Sequence, residues 1–284
     1  QRAYISSDDL IFPASSQLSA WEQNPFHPET VVVEGAHYIN LAQVIKGALP
    51  TEKKIGERFR KAVPTYDSQA YAQRRIAERL AGMCDDSVIG KMIEIGSGTG
   101  IFSRIIAEKC HPSAMTFVDL YELEPYGVAN REEYIVADAE NWMTQEADMH
   151  PASADAIVSA SAIQWFVNPR SFIHNAAKVL KPGGTLLCST FLPGNLAELK
   201  NVAPFGLVYR SRDELERYLR ECFSNVVMEE SKLSVNFDSA RETLLHLRHT
   251  GVGGGASSAH DLRQLLSLLS PHLTYRPLFI RAKL

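Results

Sequence analysis

Glu94, Gly96, Gly98 and Gly100 stand at two-residue intervals in the stretch "MIEIGSGTG" (92–100), and Asp119 and Asp138 close two later apolar runs. Glycines so spaced let a backbone turn tightly and approach a ligand where a side chain would collide. A turn of this kind that follows a strand and opens a helix makes a cofactor site, with an acidic residue about 20 positions on to meet ribose hydroxyls. Asp119, 19 residues after Gly100, suits that role, and Asp138 in "VADAE" is placed to meet an adenine edge. A dinucleotide loop reads G-x-G-x-x-G and sets a helix N-terminus against a pyrophosphate. The spacing here is G-x-G-x-G. Other chemistries leave less trace. The nine histidines show no metal-ligand spacing,. Cys84, Cys110, Cys188 and Cys222 form no C-x-x-C pair and read as reduced thiols,. Asp9 and His37 follow the acid-then-histidine order of a hydrolase triad, yet G-x-S-x-G occurs nowhere in the sequence,.

These residues need elements to hold them. "IGKMIEIG" (89–96) reads as a buried strand and "GIFSRIIAEKC" (100–110) as a helix,. "SAMTFVDL", "EEYIVADA" and "ADAIVSAS" read as three more strands, the last followed by a helix around "SFIHNAAKVL". "KPGG" turns the chain into a fifth strand, "TLLCSTF". Strands alternating with helices predict a parallel sheet covered on both faces. Further on, "SRDELERYLREC", "SARETLLHLRH" and "HDLRQLLSLLS" read as helices, and "NVVMEESKLSV" and "TYRPLFIRAKL" as strands extending the sheet. "GVGGGASSA" (251–259) reads as a loop between helices. The first 50 residues fall outside this rhythm, and "LPTEKK" (49–54) reads as the linker.

With 284 residues and 45% hydrophobic composition the chain can bury a sizeable core,. Its net charge of −4 argues against nucleic acid as a partner, since phosphate readers carry a basic excess,. No apolar run approaches the length of a membrane span, and the N-terminus lacks a charged-then-apolar signal pattern. The expectation is a cytoplasmic, metal-free protein with neither membrane nor nucleic acid as partner.

Glu94 two residues before the first glycine, with G-x-G-x-G after it, resembles the first motif of class I S-adenosylmethionine-dependent methyltransferases, more closely than a nucleotide oxidoreductase. "LKPGGTLLCSTF" and "DAIVSASAIQWF" resemble further motifs of that superfamily. The resemblance implies a Rossmann-like α/β fold, a mostly parallel seven-stranded sheet with helices on both faces. "KKIGERFRKAVPTYDSQAYAQRRIAERL", "ADAENW", "SASAIQWF", "STFLPGNLAELK" and "LLHLRHTGVGG" together are similar to the malonyl-acyl-carrier-protein O-methyltransferases of biotin synthesis, over about residues 52–284. That family methylates the free carboxylate of a malonyl thioester on acyl carrier protein, or on coenzyme A, with S-adenosylmethionine as donor. The resemblance implies cofactor contacts from Tyr66, Gln73, Glu94, Gly96, Gly98, Gly100, Asp119, Asp138, Ala139 and Ser159. Gln164 and Trp165, at the carboxyl end of the fourth strand, are candidates for positioning the acceptor. Arg248 and His249 either end a helix in solvent or orient the acyl thioester. The open alternatives are a small-molecule carboxyl or quinone methyltransferase of the same fold and a non-catalytic cofactor-binding module.

Residues 1–50 resemble the carboxyl tail of an α/β-hydrolase, in particular the methyl esterase acting on pimeloyl-carrier. "DDLIFP" is similar to its acid-bearing turn and "VVVEGAHYI" to its last strand and histidine loop. Without a serine this segment, either a truncated piece of a hydrolase or a degenerate remnant, is expected to be unable to catalyse by a triad. The expected boundary places residues 51–284 in the methyltransferase domain.

Overall fold

The computed structural model describes residues 2–6, 29–33, 60, 63, 66–84, 90–199, 209–249, 266 and 269–284. They belong to two units, Gln1–Thr51 and Glu52–Leu284. In the first, β1 (Arg2–Ser6) pairs in parallel with β2 (Glu29–Val33), Arg2 opposite Glu29 and Ser6 opposite Val33. A parallel pair cannot be joined by a tight turn, and 22 residues (7–28) separate the two strands in sequence,. Asp9 and His37 lie outside the described residues.

The second unit is built on a seven-stranded sheet. Its strands in chain order are β3 (Lys91–Ile95), β4 (Ala114–Asp119), β5 (Arg131–Val136), β6 (Ala154–Ala160), β7 (Leu180–Phe191), β8 (Asn225–Glu230) and, after β9 (Leu233–Asn236) and β10 (His272–Tyr275), β11 (Pro277–Lys283). Across the sheet the order is β5-β4-β3-β6-β7-β11-β8. All neighbours from β5 to β7 are parallel, while β11 runs antiparallel to both β7 and β8. The chain steps outward from β3 through β4 to β5, then crosses to β6 and steps the other way. The direction therefore reverses between β3 and β6, and ligands of open α/β sheets bind at the carboxyl ends of such a pair.

The helices are α1 (Tyr71–Gly82), α2 (Ile101–Cys110), α3 (Ala139–Met149), α4 (Pro169–Val179), α5 (Arg212–Arg220) and α6 (Ala240–His249). In α1, Ala72, Ile76, Ala77, Leu80 and Ala81 recur at helical spacing and are buried,. With Ile106 and Phe102 of α2 they cover one sheet face, meeting Met92, Met115 and Phe117. The opposite face takes Ile93, Ile95 and Val118 against Met143 of α3, Phe172, Ile173 and Ala176 of α4, and Leu215 and Leu219 of α5. Alternation along β3 thus sends Ile93 and Ile95 to one side and Met92 and Glu94 to the other. Helix starts are fixed by side chains. Asn168 accepts the Ser171 N–H with Pro169 at the first position of α4, and Ser211 accepts the Glu214 N–H at the start of α5,.

Three features depart from the expectations. The run 225–235 is two strands, because Ser231 N donates to Pro277 O and β9 leaves the main sheet to pair with β10. The carboxyl-terminal run likewise breaks at Arg276, whose N–H goes to Asn195 Oδ1. Helix packing also brings the sulfurs of Cys84, just past α1, and Cys110, ending α2, into contact, which their scattered spacing does not announce; their Cα atoms stand 7.3 Å apart, beyond the usual ~4.4–6.8 Å of a disulfide. Cys188 and Cys222 are free. No helix among the described residues is long and apolar enough to cross a membrane. The expected helix at 260–270 lies largely outside the described residues.

Candidate active site

β3 ends at Ile95, and the chain turns through Gly96, Gly98 and Gly100 into α2. All three glycines have positive φ, a region costly to residues with a Cβ,. At Gly96 the demand is also spatial, since a Cβ there would stand 2.4 Å from the Cβ of Ala162 in the turn after β6. Glycine lets the two turns close against each other over the β3–β6 switch.

Asp119, the last residue of β4, pins this loop. Its Oδ2 accepts the Gly98 N–H at 2.8 Å and its Oδ1 the Leu120 N–H at 2.7 Å. Burial raises its pKa to about 6, against the lowering effect of those two N–H groups,. A carboxylate has about four acceptor sites, so two such bonds leave capacity for hydroxyls of a ligand. Glu94 is buried in β3 at 1% exposure. Burial pushes its pKa up to about 8; Ser103 opposes the rise and the Asp119 charge adds to it. Neither Glu94 Oε2 nor Ser103 Oγ makes a hydrogen bond of acceptable geometry. A buried carboxylate oxygen without a donor is costly, and a cation nearby would relieve it.

The cleft above these strand ends is lined by Tyr66, Gly96, Gly98, Thr99, Asp119, Tyr121, Asp138, Ala139, Glu140, Trp165 and their neighbours from Ile95, Val118, Leu120, Ala137, 160–162 and 166–167. Asp138 also caps α3, accepting the Asn141 N–H at 2.9 Å through Oδ1. Glu140 accepts the Val167 N–H at 2.7 Å and the Asn168 N–H at 2.6 Å, fixing the backbone just past Trp165. Three carboxylates line the cleft, and no Lys or Arg does among the described residues. That field repels a pyrophosphate and attracts a cation. S-adenosylmethionine, a sulfonium bearing an ammonium and a ribose but no phosphate, fits it; a dinucleotide does not.

The remaining expected residues fall at different distances from the cleft. Gly100 caps α2, and Ser159 is buried one layer back, donating from Oγ to Ile95 O at 2.9 Å and tying β6 to β3. Gln164 donates to Ser161 O, with its own Oε1 buried and unbonded. Gln73 is on α1 and does not line the cleft. Arg248 and His249 end α6, with side chains outside the described residues.

Other groups at the site had not been anticipated. Tyr126 donates from its hydroxyl to Gly98 O at 2.7 Å and packs edge-on against Phe117. Tyr134 donates to Glu132, which also accepts the N–H groups of Gly127, Val128 and Ala129 and so curls the chain that carries Tyr126. Thr99 donates to Asp67 Oδ1 at 2.5 Å, joining the loop to the helical residues 66–69 beside Tyr66. The aromatic content of 121–134 was the only sequence signal for this brace.

Comparison with known proteins agrees with this geometry. Residues 66–266 match the model of a methyltransferase domain family. A malonyl-acyl-carrier-protein O-methyltransferase of Porphyromonas gingivalis is 37% identical over 203 residues, covering 69% of this chain and 76% of that protein. One of Bacteroides fragilis is 31% identical over 304 aligned positions and covers 99% of this chain, which spans 60% of the relative's length. Among solved structures, the YcgJ protein of Bacillus subtilis superposes with a TM-score of 0.54 at 14% identity, over 74% of this chain and 97% of its own. The [4+2]-cyclase SpnF does so with a TM-score of 0.53 at 16% identity, over 82% and 96%. A cyclase on the same fold shows that architecture alone does not name a reaction.

Proposed function

This chain belongs to the malonyl-acyl-carrier-protein O-methyltransferase family, enzymes dependent on S-adenosylmethionine, and on that premise we propose that it methylates the free carboxylate of a malonyl thioester. The acyl group is carried on acyl carrier protein or on coenzyme A, and the product is the methyl ester from which pimeloyl synthesis for biotin starts. The observation that carries the reading is the cleft itself: three carboxylates, no lining cation among the described residues, and a glycine turn pinned by Asp119. Asp119 is the residue to hold the ribose hydroxyls and Asp138 the adenine, while the Gly96–Gly100 backbone and Tyr66 enclose the methionyl portion.

S-adenosylmethionine bound there would supply an electrophilic methyl group, with a neutral thioether as its leaving group. The chain's own residues then have little proton chemistry to do. A malonyl carboxylate has a pKa near ~4, is ionised at neutral pH and needs no general base. Gathering an anion and a cation into a dry cleft, in line, supplies the acceleration. Trp165, lining the cleft, and Gln164, in the same turn, sit where an acceptor must pass and serve positioning. A carbon acceptor such as a quinone would need a base, which this reading does not assign.

Two finer readings follow. The protein works in the cytoplasm, where malonyl thioesters are made. Residues 1–50 derive from the tail of an α/β-hydrolase; the parallel pairing of β1 and β2 supports this. Pimeloyl methyl ester hydrolysis by this chain that disappears in His37→Ala would contradict an inactive segment. The main reading is tested by offering malonyl-carrier, malonyl-CoA and free malonate with labelled cofactor. Label on a thioester in preference to free malonate supports it.

A further inference from the structure

The chain enters α1 beside the cleft. Tyr66 lines the cleft, and Thr99 of the glycine turn donates to Asp67 Oδ1 at 2.5 Å, so the residues just ahead of α1 are tied to the cofactor loop. Tyr71, the first residue of α1, follows Tyr66 by five positions, at most about 18 Å of chain,. Its ring stacks on that of His246 in α6, with centroids 5.5 Å apart, so the two helices meet there. Tyr71 is nonetheless 45% exposed, and Leu245, next to His246, is 39% exposed. Two large side chains stand at solvent around one helix contact.

Cations flank them. Arg74 and Arg75 lie three and four residues beyond Tyr71, and Arg241 four before Leu245, spacings that put each on the helix face of its neighbour,. All three arginines are exposed, and none pairs with a carboxylate among the described residues. Asp67 is engaged by Thr99, and Glu242 accepts the Asp238 N–H at 3.0 Å. Glu78, one turn past Arg74 and Arg75, is the only acid of α1. Around α5, on the opposite sheet face, the pattern differs: Arg170, Arg210, Arg212 and Arg220 each meet a glutamate within 3.5 Å. In a chain of net charge −4, unpaired arginines thus gather around exposed apolar groups next to the cleft. Such a field attracts an acidic partner, and Tyr and Arg are residues that protein interfaces favour. The apolar centre suits a folded protein surface, which a bare polyanion does not offer.

We propose that this junction of α1 and α6 is the docking surface for the acyl carrier protein, taking its acidic face on Arg74, Arg75 and Arg241 and an apolar side chain on Tyr71 and Leu245. This rests on the reading of the acceptor as a malonyl thioester. The carrier rests beside the cleft, and its flexible arm covers the remaining distance to the methyl donor. No bond is made or broken at this surface.

Full-length wild type is compared with the double variant Arg74→Glu/Arg75→Glu and with Arg241→Glu. The double variant Lys178→Glu/Arg217→Glu changes two exposed cations of α4 and α5, giving the same charge change on the opposite face. Binding of fluorescently labelled malonyl-carrier is read by anisotropy at low and high salt, beside thermal melting and steady-state kinetics on malonyl-carrier and malonyl-CoA. The patch variants should weaken carrier binding and raise its KM, about tenfold for the double variant and severalfold for the single one, with a flatter salt dependence. Kinetics on malonyl-CoA should change far less, and melting should stay at the wild-type temperature. The opposite-face control should move carrier binding by less than about twofold. Wild-type carrier binding in both patch variants overturns the proposal. So does an equal loss in the control, which marks net charge alone, or an equal loss on both substrates. A wild-type dimer that the patch variants dissolve, with carrier KM unchanged, gives the face to a second copy and overturns it too. Any of these beside a wild type that methylates malonyl thioesters overturns this inference alone. Wild type that methylates neither thioester overturns it together with the proposed function.

Discussion

Replacing Glu94 by Gln keeps the volume of a side chain buried in β3 and removes only its ability to ionise. In the folded chain burial lifts the Glu94 pKa from 4.5 to about 8. At about 1.4 kcal/mol per pH unit that span corresponds to roughly 5 kcal/mol, an upper size because effective dielectric constants in proteins are high. The folded pKa exceeds the unfolded one, so the native state holds the extra proton between them. The associated stability is complete below about pH 4.5, falls as pH rises, and is gone above about pH 8,. Asp119, raised from 3.8 to about 6, adds a slope of the same sign over a lower window. Glu94→Gln should therefore flatten the stability profile between pH 6 and 8 and exceed wild type by ~3–5 kcal/mol at pH 8.5. Urea unfolding of the ligand-free proteins across this range measures it. The same charge has a use: an ionised Glu94 favours a cationic cofactor, so wild type should bind S-adenosylmethionine with release of a proton near pH 7. Calorimetry in buffers of different ionisation enthalpy detects that release, and Glu94→Gln should abolish it. Parallel stability profiles for the two proteins, or a variant less stable at pH 8.5, would refute the argument.

Asp119→Ala should weaken cofactor binding by about 1.5–3 kcal/mol, the range for hydrogen bonds to a charged partner; unchanged affinity by calorimetry would remove Asp119 from the ribose role. Gly96→Ala meets both a positive φ and the Ala162 methyl group at 2.4 Å, so it should lose at least ~1–3 kcal/mol of stability and most cofactor affinity; a melting temperature equal to wild type would contradict the close packing. Arg241 is exposed on α6, the helix that carries Arg248 next to its last residue. Reversing both to Glu should raise KM for malonyl-carrier severalfold and flatten its salt dependence, with a much smaller effect on malonyl-CoA. Equal losses on both substrates would reject a docking role and point to the acceptor site or folding.

The glycine turn and Asp119 were legible because their signal is local: a strand, positive-φ residues and a strand-end carboxylate all within one β-turn-helix-β unit. The sheet order follows from the same rhythm, since right-handed crossovers leave few ways to stack alternating strands and helices. Helix α3 was not anticipated: its buried residues are few, Met143, Glu146 and Ala147, and its start is set by the Asp138 cap rather than by an apolar stripe. The breaks at 231–232 and at Arg276 depend on backbone groups bonding to distant partners, Pro277 and Asn195, which no periodicity encodes. The Tyr126–Tyr134–Glu132 brace shares that property. It is polar complementarity between side chains whose meeting depends on the completed fold.

Presentation of a methyl donor by this cleft to an ionised carboxylate on a malonyl thioester, without a catalytic base, is tested most directly by following methyl-labelled S-adenosylmethionine with malonyl-carrier across pH 5.5–9. Label should appear as an ester on the malonyl group, and the rate with cofactor and malonyl-carrier both saturating should show no acid limb, in wild type and in the Asp119→Ala variant alike. Label that appears on carbon, or only on free malonate, or no transfer to either malonyl-carrier or malonyl-CoA, would contradict it.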